Sequence, residues 1–232
     1  MTSGRQAERP GGEERILTLP GRFRAVVFDL DGLLLDTEPG WRRAEAELLR
    51  RHGAVYTRAD EEASLGTTVH DVVDRYADRL GLNGEARHRL LAELLELAGA
   101  EYAGPIPIRA GATEVLAALR GRVPLGVASN TPRELVIVAL ESTGLRDCFD
   151  AVVTADDVSR PKPAPDVYLE ACRRLAVDPR GAVALEDSPT GVAAAMAAGL
   201  AVIGVPESPG VDLPGADHVV GSLQDLLPLE SR

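Results

Sequence analysis

The chain has 232 residues, 45% hydrophobic and 26% charged, an ordinary globular balance that excludes a disordered or collagen-like polymer. Its formal net charge of -11, with no basic stripe to reverse it, excludes a general attraction to nucleic acid or to an anionic membrane. The two cysteines, Cys148 and Cys172, stand in neither metal-ligand nor redox spacing and are expected to be buried, reduced thiols.

Residues 1–22 mix Arg, Glu, Gly and Pro without the apolar centre of a secretory signal, and they read as a flexible N-terminal tail. The longest apolar stretch, Val192 to Val205, is too short for a bilayer and is broken by Gly199 and Gly204. A cytoplasmic protein is expected. The run from Arg24 to Asp29 is short, β-branched and apolar on both faces, as in a strand buried within a parallel sheet.

From Trp41 to Tyr102 the pattern is helical alone, with Leu48, Leu49, Leu90, Leu91, Leu94 and Leu95 at helical spacing. Hinge-like composition borders it, Pro39-Gly40 on one side and Gly104-Pro105-Ile106-Pro107 on the other. The expected division is a core of residues 23–39 and 105–232 with a helical cap domain of residues 40–104; the alternative is that these helices simply pack on the sheet. Four further strand candidates follow: Val123 to Ser129, Ala151 to Thr154, Ala182 to Leu185 and Ala201 to Val205, with helical stretches between them. The predicted fold class is α/β, a Rossmann-like three-layer parallel sheet core with an inserted helical cap.

Ligands of open parallel sheets bind beyond the carboxyl ends of the strands. Asp29-Leu30-Asp31-Gly32 follows the first strand, and Ser129-Asn130-Thr131 the second. Arg160-Pro161-Lys162-Pro163 comes after the third, and Glu186-Asp187-Ser188-Pro189 ends the fourth. Side chains two apart on a strand point the same way, so Asp29 and Asp31 can address one site while Leu30 turns toward packing. Lys162 is the only lysine among 25 Lys and Arg residues. A compact ammonium on a flexible stem suits a crowded site better than a planar guanidinium. Ser129 and Asn130 can donate to phosphate oxygens, and Ser129 and Thr131 can also cap the helix that starts near Pro132.

Together these motifs resemble the haloacid-dehalogenase superfamily, whose pattern is DxDG, then Ser or Thr, then Lys before Pro, then paired acids. The resemblance spans nearly all of the chain beyond the tail. It implies that Asp29 is the nucleophile that forms an aspartyl-phosphate, that Asp31 is the acid/base, and that Lys162, Ser129 and Asn130 bind phosphate. Two carboxylates facing a phosphate dianion require positive charge, and magnesium is the expected cofactor, held by Asp29, the backbone carbonyl of Asp31 and Asp187. Glu186 is assigned to the inner or outer ligand sphere.

The stretch Gly32-Leu-Leu-Leu-Asp36-Thr37-Glu38-Pro39-Gly40-Trp41 is similar to the capped sugar phosphatases and β-phosphoglucomutases of the superfamily. Asp31 speaks against the dehalogenase branch, and a cap without lysine against the phosphonatases. The mutases carry Gly-x-Ser-Arg in the cap. Residues 65–70 read Leu-Gly-Thr-Thr-Val-His, and the missing arginine favours hydrolysis.

The expected activity is therefore a phosphatase acting on a small phosphorylated metabolite, a sugar or sugar-alcohol phosphate. A phosphomutase and a non-catalytic sugar-phosphate sensor are the alternatives. A monomer is expected. His70 reads as solvated, with a place facing the substrate as the alternative, Trp41 as packing or lining the entrance, and Asp36 and Glu38 as hinge hydrogen-bonding groups.

Overall fold

The computed structural model describes residues 23–64, 66–207 and 210–227; the predicted tail of residues 1–22 and Leu65 lie outside them. Six strands form one sheet, all paired in parallel: β1 (Ala25–Phe28), β2 (Leu125–Ser129), β3 (Ala151–Thr154), β4 (Ala182–Glu186), β5 (Ala201–Gly204) and β6 (His218–Val219). Their spatial order is β3-β2-β1-β4-β5-β6. The order reverses between β1 and β4, and at such a switch point the connections leave toward opposite faces and open a crevice.

Five strands stand where the sequence predicts them. The sixth escaped because it is two residues long, exposed, and without an apolar run; it exists through its pairing with β5.

Strand period explains how two layers of core arise from one sheet. Val26, Phe28, Val127, Val183 and Leu185 point to one face, where they meet α5 (Ala112–Leu119) and α6 (Arg133–Ser142). Ala25, Val27, Val153, Ala182 and Ala184 point to the other, covered by α7 (Asp166–Arg174) and α8 (Pro189–Ala198). The inward residues on that second face are mostly alanine and valine, which lets those helices sit close. Among the cysteines, Cys172 is a buried free thiol as expected, whereas Cys148 is only half-buried because it ends a short turn of helix against Phe149.

Between β1 and β2 run α1 (Glu38–Arg51), α2 (Arg58–Ser64), α3 (Val69–Leu80) and α4 (Gly84–Tyr102). Helix α1 starts with Pro39 in its first turn, where a missing N–H costs nothing. Helix α3 opens on a capping box in which the Thr68 hydroxyl accepts from Asp71 N at 3.1 Å, and it closes on Gly81 at φ +68°. Helices α1, α3 and α4 pack on one another through Leu48, Leu49, Val73, Tyr76, Leu90 and Leu94, and α4 also touches α6. On the buried stripe of α1, made by Ala44, Leu48 and Leu49, sits one charged residue, Glu45.

Candidate active site

Asp29 follows the last residue of β1, where its backbone N–H donates to the carbonyl of Leu185 on β4 at 3.0 Å. That bond locks the residue to the switch point. Lys162 Nζ lies 2.6 Å from Asp29 Oδ1 and 2.6 Å from Glu186 Oε1, and all three side chains are buried. Tyr168 on α7 donates to the same Glu186 oxygen at 2.5 Å, with its ring 5.1 Å from the ammonium, while Ser188 Oγ donates to Glu186 Oε2 at 3.3 Å. The Glu186 carboxylate thus takes two donors on Oε1 and one on Oε2, and it is paired with the lysine. Gly191 makes room for it: a Cβ there would fall 2.0 Å from that carboxylate.

Asn130 fixes the lysine's backbone. Its Oδ1 accepts from Lys162 N at 2.9 Å, and its Nδ2 donates to Lys162 O at 3.1 Å and to Gly66 O, between α2 and α3, at 3.2 Å.

Asp31 has different company. Its Oδ1 accepts from Thr37 Oγ1 at 2.7 Å and from the Tyr102 hydroxyl at 2.8 Å; its Oδ2 accepts from Ser129 and Thr131 hydroxyls, both at 2.9 Å. Thr37 precedes α1 and Tyr102 ends α4, so both passages of the chain between sheet and helices meet on one carboxylate oxygen. Trp41 Nε1 donates to Tyr102 Oη at 2.9 Å, the two rings meeting edge to face. The alternative that Ser129 and Thr131 cap α6 fails, since both hydroxyls turn to Asp31 and α6 begins after Pro132 with no side-chain cap.

One carboxylate oxygen each from Asp29, Glu186 and Asp187 lies within 4.8 Å of the others. Gly32 at φ +83° lets Asp187 approach, because a Cβ at that position would stand 2.1 Å from Asp187 Oδ2. Burial pushes the Asp29 and Asp187 carboxyls well above the usual range, with neighbouring carboxylates adding to it and the Lys162 ammonium opposing it. Burial works to lower the Lys162 pKa, but Asp29 and Glu186 outweigh it and hold the ammonium charged. Three buried carboxylates against one ammonium leave unmatched negative charge, and an all-oxygen donor set beside a glycine-made gap fits a hard divalent cation of the magnesium class.

The cleft above these groups is lined by Asp29, Asp31, Asn130, Thr131, Lys162 and Asp187 from the strand ends. Its opposite wall includes Glu38, Trp41, Glu45, Ser64, Gly66, Thr67, Val69 and Val72. All six sequence-assigned site residues therefore stand together, Ser129 through its bond to Asp31. Glu38 is not the hinge group expected; it lines the cleft, and the hinge bond in that stretch runs from Asp36 N to Pro107 O at 2.9 Å. Trp41 both packs and lines the entrance, and His70 is exposed. Sequence reasoning missed Tyr168, Tyr102 and Glu45, whose partners lie 18, 71 and 31 positions away in the chain.

A family model described as haloacid dehalogenase-like hydrolase matches residues 23–199. The chain belongs to the haloacid dehalogenase-like hydrolases. Among curated relatives, hexitol phosphatase B of Escherichia coli (strain K12) is 35% identical over 192 residues, 82% of this chain and 86% of that protein. Validoxylamine A 7'-phosphate phosphatase of Streptomyces hygroscopicus subsp. limoneus is 37% identical over 185 residues, 79% and 85% of the two chains. The crystal structure of CbbY from Rhodobacter sphaeroides in complex with phosphate superposes with a TM-score of 0.77 at 30% identity, covering 88% of this chain and 96% of that one. In this family the chain is a phosphatase.

Proposed function

We propose that this phosphatase hydrolyses the monoester of a small sugar or sugar alcohol, with magnesium as cofactor and Asp29 as the covalent nucleophile. The observation that carries the reading is the Asp29 carboxylate, fixed at the switch point with the ammonium of Lys162 at 2.6 Å and Asp187 beside it. Relatives named for hexitol and fructose-1-phosphate substrates support the substrate class.

An Asp29 oxygen attacks phosphorus, forming one P–O bond as the ester P–O bond breaks. Asp31 delivers a proton to the departing oxygen, then takes one from the water that attacks the aspartyl-phosphate; inorganic phosphate leaves and Asp29 is restored. Lys162 neutralises charge on the phosphoryl oxygens; the Ser129 hydroxyl is given to Asp31 and both hydrogens of the Asn130 amide to the carbonyls of Lys162 and Gly66, so the expected phosphate contact of this pair would come from the backbone N–H of Asn130, while the side chains hold Asp31 and the lysine in place. Asp29, Asp187 and the Asp31 carbonyl would hold magnesium, which when bound supplies the positive charge that lets a phosphate dianion approach two carboxylates.

Residues 40–104 form the cap on this reading, and their helices supply one wall of the cleft. Among the described residues no helix is long and apolar enough to cross a membrane. A cytoplasmic monomer belongs to the same proposal. The test is phosphate release from a generic aryl phosphate: hydrolysis should require magnesium, stop with EDTA, and vanish in Asp29→Asn. Full activity in that variant overturns the mechanism. A mutase would instead interconvert hexose 1- and 6-phosphates without net release of phosphate, which NMR of the products detects.

A further inference from the structure

The wall of the cleft that faces the departing group carries acids where a phosphate-binding surface would carry bases. Glu38 and Glu45 stand on α1 and line the cleft; Glu207, after β5, lines it from the strand-end side, next to Gly32 and Asp187. Lys162, already engaged with Asp29 and Glu186, is the only cationic side chain among the described lining residues. Among the described residues no nearby arginine hydrogen-bonds the carboxylate of Glu38, Glu45 or Glu207. Arg75 donates to Ser64 Oγ at 2.7 Å, Arg42 pairs with Glu61 at 2.7 Å, and Arg109 donates to the Glu207 carbonyl at 2.7 Å.

Glu45 is the informative member. It is 2% exposed and sits on the apolar stripe of α1, a position where an unmatched carboxylate is costly. Its Oε2 accepts the hydroxyls of Tyr76 and of Ser64, the latter at 2.9 Å. Its Oε1 takes no hydrogen bond among the described residues, yet the side chain lines the cleft. A buried carboxylate that lines the cleft, with one oxygen satisfied by the fold and the other without a partner among the described residues, can accept a donor from a ligand there.

We propose that Glu45, with Glu38, reads the leaving group by charge: the site takes a leaving group that presents hydroxyl or ammonium donors and rejects one that carries a carboxylate or a second phosphate. This rests on the cleft being the phosphatase site described above. Like charges brought together in a desolvated cleft repel strongly, so rejection of an anionic leaving group should be steep. The residues act on specificity, since among the described residues neither side chain hydrogen-bonds Asp29, Asp31 or Asp187 although both line the cleft.

Four six-carbon substrates that differ chiefly in the charge of the leaving group test this: sorbitol 6-phosphate, glucose 6-phosphate, 6-phosphogluconate and fructose 1,6-bisphosphate. Assays belong above pH 8, where Glu38, pushed up to about 8 by burial and by Glu207, carries its charge. The expected kcat/KM for the first two exceeds that for the last two by on the order of 100-fold. Glu45→Gln keeps the bonds to Tyr76 and Ser64 available and should narrow the ratio about 10-fold; Glu38→Gln, at a half-buried position, should narrow it as well. Equal or better turnover of 6-phosphogluconate, or the wild-type ratio in both variants, overturns the proposal. An aryl phosphate control separates the two readings. If it is hydrolysed by the wild type and not by Asp29→Asn while the panel shows no charge preference, only this inference falls. If no phosphate is released from any substrate, both fall.

Discussion

The two walls of the cleft are built on opposite principles. At the strand ends, Asp29, Lys162 and Glu186 are joined by buried ion pairs, Asp29 is tied by its backbone to the neighbouring strand, and Asp187 stands beside them against Gly32. On the helical side, Glu38, Glu45 and Trp41 project from a single helix whose packing partners are other helices. On the function proposed above, the first wall would fix charge at a reacting atom, and the second would set the shape and charge of the space where the rest of a substrate must fit. A defect in the first should therefore abolish turnover of every substrate, and a defect in the second should change which substrate is preferred.

The largest effect expected is that of Asp29→Asn, which should lower kcat on an aryl phosphate by at least roughly 1,000-fold with the fold intact by circular dichroism. Lys162→Met should lower kcat by on the order of 100-fold. It also leaves Glu186 buried without its cation, so urea unfolding should show a loss of about 3 kcal/mol. If Lys162→Met lost neither activity nor stability, the contrast between the walls would fail on its better-ordered side.

Tyr102→Phe removes one of four donors to Asp31 and the acceptor of Trp41. A lost hydrogen bond of about 1.5 kcal/mol predicts a kcat roughly 10-fold lower with KM little changed. Emission of the single tryptophan should shift with it, a readout that a general loss of packing elsewhere would not give. The smallest effect is on stability. Burial, then Glu207 and Asp31, raise Glu38 from 4.5 to about 8, so the folded chain binds that proton more tightly than the unfolded chain. Stability from this group is complete below 4.5 and falls as pH rises through about 8. Glu38→Gln should match the wild type at low pH and exceed it above pH 8, by on the order of 1 kcal/mol after solvent screening, in urea midpoints.

What the sequence disclosed follows the same division. Asp29, Asp31, Lys162 and Asp187 were legible because strand ends converge by topology, and a short motif after each strand carries its geometry with it. Tyr168 was not, since nothing in α7 marks a tyrosine as lying under a carboxylate on β4. Tyr102 was hidden because its partner is 71 residues upstream. Glu45 looked like one more solvated acid in an Arg- and Glu-rich helix; only the packing of α1 against α3 reveals it as buried beneath Tyr76. Strand β6 and the half-buried state of Cys148 depend on local pairing that no periodic pattern encodes.

Asn130 joins the two walls unequally. Two of its bonds grip the backbone of Lys162 on both sides, and the third reaches Gly66. Losing the contact to Gly66 would leave the paired grip on the lysine complete, so the charged centre is insulated from change in the helices opposite. Sequence drift can then remodel the helical wall, acid by acid, while the apparatus that breaks the phosphate ester keeps its dimensions. In a lineage that exchanges substrates, that asymmetry lets new specificities arise by substitution on one side of the cleft alone.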